Sequence, residues 1–248
     1  MQFIDLSAPV RQDPPDWPDA LRVDVVAHPH AEGAQQIEAL LGVGPHLLRA
    51  REGWATEDLR LGTHSTTHVD APWHYNSTIA GAPARTIDEL PLAWFFAPAV
   101  VVDATDRADG EALTADDVEA RLPRGIDDGD IVLVRTGCDR FLGQPDYMAH
   151  GPGVTAEATR WLHAQGVRVV GIDAWGWDAP LHLQAQAAKA ADAPGVFWAA
   201  HQADLEYCQI ERLCNLGALP DTGFRIACFP LKVEGGSAGP ARVVALIG

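Results

Sequence analysis

The sequence predicts a mixed α/β fold, and three observations carry that prediction. Strand and helix patterns alternate between 97 and 173, two more strand patterns close the chain, and no repeat, linker or low-complexity segment divides it. With 248 residues and a hydrophobic fraction of 47%, the chain can bury a sizeable core. We therefore expect a single domain spanning 1–248.

Taken in order, residues 1–7 alternate well enough for a short strand. Pro14, Pro15 and Pro18 then break any regular element and leave Trp17 on a loop. An apolar helix is expected around 38–51, interrupted by Gly42, Gly44 and Pro45. Beyond a histidine-rich stretch, 86–90 reads as a short capped turn and 97–102 as a buried strand. Thr114, with Asp117 three residues on, opens a helix that ends before Pro123. Residues 130–135 form the next strand. Thr155 caps the clearest helix, 156–165, which stops at Gly166. The strand at 167–172 delivers Asp173 at its C-terminal end. This rhythm implies some parallel pairing, and in such sheets ligands gather beyond the carboxyl ends of strands, where Asp173, Trp175 and Trp177 fall. The alanine-rich 185–193 reads as helix or loop. Glycines and a proline at 235–240 read as a turn between two last strands, 224–233 and 241–247.

Composition excludes several classes of function. A formal charge of −16 argues against nucleic acid and anionic membranes, which attract clustered Lys and Arg. No run of 18 apolar residues occurs, and Asp5 interrupts any apolar leader, so we expect a soluble, cytoplasmic protein acting on a small molecule. Cys138, Cys208, Cys214 and Cys228 form no CxxC pair and read as unbonded, mainly structural thiols. Neither a dinucleotide-binding glycine motif, nor a P-loop, nor a nucleophile elbow is present.

The chemistry is concentrated between 61 and 74. His64, His68, Asp70 and His74 fall within eleven residues. A helix does not explain them, because at about 100° per residue Asp70 points away from His64 and His68, and Thr66, Thr67 and Pro72 disfavour helix. A straight strand puts all four on one face but separates His64 from His74 by roughly 33 Å. The segment must therefore leave a strand near Gly62 and curl, with Pro72 helping to stop regular structure. A divalent metal explains why such side chains would meet: two imidazoles and a carboxylate suit Zn²⁺, Mn²⁺ or Fe²⁺ with a position left for water. His64, His68 and Asp70 are the expected ligands. His74 is expected as a second-metal ligand or a proton carrier.

The stretch resembles the motif His-x-Gly-Thr-His-x-Asp-x-Pro-x-His of the metal-dependent cyclase/hydrolase family, which includes bacterial kynurenine formamidase and isatin hydrolase. One position departs: Thr66 stands where the family has glycine, and a β-branched residue reaches positive φ only under strain. The resemblance implies a three-layer β/β/α architecture related to swivelling-domain folds, with assembly into dimers or higher homo-oligomers. It also extends to a second cluster. The family places a histidine upstream of a glutamate followed by x-Leu-x-Asn-Leu, and Glu211, Leu213, Asn215 and Leu216 fit. His201 takes the histidine's place across a slightly shorter gap. By resemblance His201 and Glu211 complete a second metal site or transfer protons beside a single ion, giving one or two Zn or Mn ions per chain. The family's N-terminal loop also brings an aromatic over the substrate, which assigns Trp17 to the pocket. For a flat aromatic substrate, Trp73 and Trp175 or Trp177 are its expected companions.

The expected reaction is hydrolysis of an amide, lactam or lactone by metal-activated water, with His74 carrying a proton to the departing atom. Three rivals remain. A polyketide-type cyclase would use the same metal to stabilise an enolate. A non-haem iron oxygenase would use two histidines and a carboxylate, and a metal-binding module would perform no chemistry.

Overall fold

The computed structural model describes residues 1–248 apart from Asp16 and Ala20. Two compact units are found, one formed by Met1–Pro9 with Thr66–Gly248, the other by Val10–Ser65.

The first unit is built on a nine-stranded mixed sheet. Its spatial order is Gln2–Asp5, Val244–Ile247, Phe224–Ala227, Phe96–Asp103, Ile131–Arg135, Val169–Ile172, Cys208–Glu211, His68–Asp70 and Ala238–Pro240. The four strands from Phe96–Asp103 to Cys208–Glu211 run parallel. Every other pairing in the sheet is antiparallel. The parallel strands are β-branched runs because both of their faces are covered. Ala99, Val101, Ile131, Leu133 and Val169 join one core cluster. Their alternates Val100, Val102, Val132, Val134, Val170 and Ile172 join another, with Val118, Ala158 and Leu162 contributed by helices. The α/β class expected from the sequence is the class observed.

Both expected helix starts carry their caps. Ala115–Arg121 opens with a complete capping box between Thr114 and Asp117, and Ala156–Ala164 opens on the Thr155 side chain, which accepts from the Ala158 amide. The stretch around 185–193 lies in a helix, Leu181–Ala191. Two readings are corrected near the C-terminus. The strand expected over 224–233 stops at Ala227, and the supposed turn at 235–240 contains a strand, Ala238–Pro240, paired with His68–Asp70. Pro240 is tolerated there because the strand is at the sheet edge, where one side of the backbone needs no partner.

In the second unit, strands Asp24–His28 and Thr56–Arg60 pair antiparallel. The helix expected around 38–51 begins earlier, spanning His30–Leu41, and ends where Gly42 takes φ +70°. Among the described residues no helix is long and apolar enough to cross a membrane, and all four cysteines are unbonded.

Candidate metal centre

Strand register assembles the centre. His68–Asp70 lies antiparallel to Cys208–Glu211, with His68 opposite Glu211, Val69 opposite Ile210 and Asp70 opposite Gln209. Side chains alternate across a sheet, so Val69 and Ile210 enter one core cluster while His68, Asp70, Gln209 and Glu211 share the other face. Glu211 ends a parallel strand, the position at which α/β sheets hold ligands.

His68 and Asp70 are fully buried, and Glu211 is 7% exposed. His68 Nε2 lies 3.1 Å from Asp70 Oδ1 and 3.7 Å from Glu211 Oε2. One donor atom from each residue falls within 4.8 Å of the others. The ring of His68 is held by a 3.0 Å contact between Nδ1 and the Thr66 carbonyl. A carbonyl only accepts, so Nδ1 carries the proton and Nε2 faces the carboxylates. In a neutral ring Nε2 presents a lone pair, which two nearby carboxylates repel unless positive charge sits among them. A buried set of one imidazole nitrogen and two carboxylates therefore fits a divalent cation by the chemistry of its donors.

Around this set stands a second layer. Pro72 does not simply end regular structure as the sequence suggested; it opens a one-turn helix, Pro72–Tyr75, where its missing N–H costs nothing. That turn carries His74 back toward Asp70, one ring nitrogen lying within 4.8 Å of a carboxylate oxygen. His201 presents Nε2 to Glu211 Oε1 at 3.5 Å, while its Nδ1 meets Asp178 Oδ2 at 2.5 Å. Burial opposes charge on His201, but hydrogen bonds to Asp178 and Glu211 outweigh it and raise the ring to about 10. The Trp198 ring stacks on His201, with centroids 4.9 Å apart and planes 8° apart. Glu211 also accepts the Trp177 amide at 3.1 Å.

The sequence model of the family described as "Putative cyclase" matches residues 4–179. The chain belongs to the cyclase family. Isatin hydrolase of Roseibium aggregatum is 30% identical over 200 residues, covering 75% of this chain and 73% of the relative. Kynurenine formamidase of Maricaulis maris is 28% identical over 243 residues, covering 97% and 95%. Among solved structures, isatin hydrolase A from Ralstonia solanacearum superposes with a TM-score of 0.77 at 27% identity, covering 100% of this chain and 92% of that one.

Where this chain departs from the family glycine, Thr66 takes φ +56°. A left-handed turn forms here although a β-branched residue occupies it.

Within the first unit the structure brings His68, Asp70, His74, His201 and Glu211 together; His64 and Trp17 lie in the stretch that forms the second unit. His64 lies half-buried in a turn at 62–65, where the Ser65 amide donates to the Gly62 carbonyl at 3.0 Å. Trp17 closes a turn on Pro14. Trp73 is 47% exposed. The half-buried ring of Trp175 carries the Arg212 guanidinium 3.5 Å from its centroid. The expectation for Trp177 is corrected: its ring is wholly buried in the core and donates to Thr159 Oγ1 at 3.0 Å, so only its backbone serves the centre. Asp173, at a strand end, is occupied by the Thr136 amide and hydroxyl and the Gly137 amide; burial pushes its carboxyl up to about 6. Sequence reading missed Asp178 and Trp198. Asp178 carried a usable signal, an acid shortly after a strand end in a chain with buried histidines that need partners. Trp198 carried none.

Proposed function

We propose that this protein is a metal-dependent hydrolase that opens a C–N bond in a small aromatic amide or lactam. The observation that supports this most is the buried set of His68, Asp70 and Glu211, two carboxylates and one oriented imidazole at a strand end. Hydrolase names among relatives of 28–30% identity point the same way.

In this reading His64, His68 and Asp70 hold Zn²⁺ or Mn²⁺, His64 being assigned by the motif. The ion supplies a Lewis acid that acidifies water and polarises a carbonyl. His201 and Glu211 hold a second ion or keep a proton between them. His74 stands beside Asp70 and Trp198, and in this reading it passes a proton to the leaving nitrogen. Bulk solvent is kept from the donors by the burial of His68 and Asp70. Trp198, stacked on His201, offers a flat face to an aromatic substrate. The substrate is a small molecule, and the working form is a homo-oligomer in the cytoplasm.

The test is turnover of isatin and of a formamide of kynurenine by zinc- or manganese-loaded protein in ¹⁸O-labelled water. Hydrolysis places solvent oxygen in the product; a cyclase product without it refutes the reading. His74→Ala should lower kcat by about 100-fold or more with metal content unchanged. Metal lost together with activity makes His74 a ligand instead.

A further inference from the structure

Two consecutive residues of the loop at 173–180 reach into the centre. The Trp177 amide donates to Glu211 Oε1 at 3.1 Å. Asp178 meets His201, its side chain only 9% exposed. Gly176 lies so near that a Cβ there would stand 3.3 Å from Glu211 Oε1. The loop is thus packed tightly against both residues that the motif strand does not supply.

Asp178 engages His201 in more than one way. Its Oδ1 accepts the Ala200 amide at 2.9 Å, and its Oδ2 accepts the His201 amide at 3.1 Å and meets Nδ1 at 2.5 Å. Backbone and ring of one histidine are gripped by a single carboxylate. A carboxylate bonded to two amides acts as an acceptor, so the proton of that short contact sits on Nδ1. Nε2 is then the atom turned to Glu211. Trp198 fixes the ring plane by stacking but does not choose between the two nitrogens. His68 shows the same logic with a different acceptor, the Thr66 carbonyl.

We propose that Asp178 is a positioning residue: it holds Nδ1–H of His201 and so determines that Nε2 is the nitrogen presented to Glu211 and to the centre. Asp178 touches no reacting atom and acts only through the ring of His201. The consequence for turnover rests on the hydrolase reading above; the ring orientation does not.

The experiment compares zinc-loaded wild-type protein with Asp178→Asn, labelled with ¹⁵N at histidine. Wild type should show a slowly exchanging Nδ1–H resonance of His201, far downfield as expected for a short bond to a carboxylate. In Asp178→Asn that resonance should move upfield or vanish by exchange. Zinc affinity should fall about 10- to 100-fold, the usual cost of removing such a partner, and kcat should fall similarly with KM changed less than about twofold. In a His201→Gln background, Asp178→Asn should have no further effect on zinc affinity, because the route runs through the ring. Asp178→Glu, which keeps the charge, stands in if the asparagine variant does not fold, and should shift the same resonance. An unshifted resonance, or an equal loss of zinc affinity with and without His201, overturns the proposal. Should no substrate be turned over, the hydrolase reading fails while the resonance and the zinc titration still decide the role of Asp178.

Discussion

Thr66 shows how much backbone strain the centre tolerates. A β-branched residue at φ +56° costs about 1–3 kcal/mol. Its surroundings hold it there. The Thr66 carbonyl receives His68 Nδ1, and the next residue is bolted at three points: Thr67 Oγ1 donates to the Arg212 carbonyl at 2.6 Å and accepts the Ala8 amide at 2.9 Å, while its carbonyl takes the Ala241 amide at 3.0 Å. Trp198 and Arg212 also have positive φ, at 58° each, and they flank His201 and Glu211. Three of the nine non-glycine residues with positive φ among the described residues thus stand close in sequence to a donor. Thr66→Gly should raise stability by about 1 kcal/mol, the relieved strain exceeding glycine's entropic cost, and metal content should not change. Urea unfolding checks this; a lower midpoint would mean that the threonine side chain supports the turn rather than burdening it.

At the scale of elements, neighbouring strands are tied at their ends as well as along their length. Asp103 and Arg135 are paired in register on adjacent parallel strands, and their side chains form an ion pair. The hydrogen bond from Arg135, working against partial burial, lowers the Asp103 carboxyl to about 2. A carboxyl depressed in the folded state stabilises the fold above its unfolded value near 4, and that contribution is lost as pH falls from about 4 toward 2. Asp103 is 46% exposed, so solvent screening limits the effect to less than about 1 kcal/mol. Denaturant titrations should find Asp103→Asn less stable than wild type at pH 7 by that amount, with the gap narrowing below pH 4. A gap that stays constant from pH 7 to pH 3 would assign the loss to packing.

Across the whole molecule, an ion that binds only the folded chain adds stability by mass action. At about 1,000 times its dissociation constant the gain is about 4 kcal/mol, which for a chain of this size shifts the melting temperature by about 10 °C. Chelation should lower the transition by that order, and zinc or manganese should restore it. Asp70→Asn should melt at one temperature with or without metal. A metal-dependent shift that survives in Asp70→Asn would remove Asp70 from the ligand set.

Much of this was legible along the chain. The capped helices at Thr114 and Thr155 and the parallel strands around 97–102, 130–135 and 167–172 are local features, written in hydroxyl caps and β-branched runs whose physics spans only a few residues. The density of histidine and aspartate at 64–74 marked the centre for the same reason. Tertiary structure alone decided the rest. That His68 faces Glu211 depends on strand register across 143 residues, and the strand at Ala238–Pro240 exists because the motif strand leaves it an edge to pair with. Burial of the Trp177 ring and the grip of Asp178 on His201 likewise depend on a loop packed against a helix and a turn that are distant from it in sequence. A single sequence records what each residue prefers nearby, but which distant partner its side chain meets is settled only when the sheet is assembled.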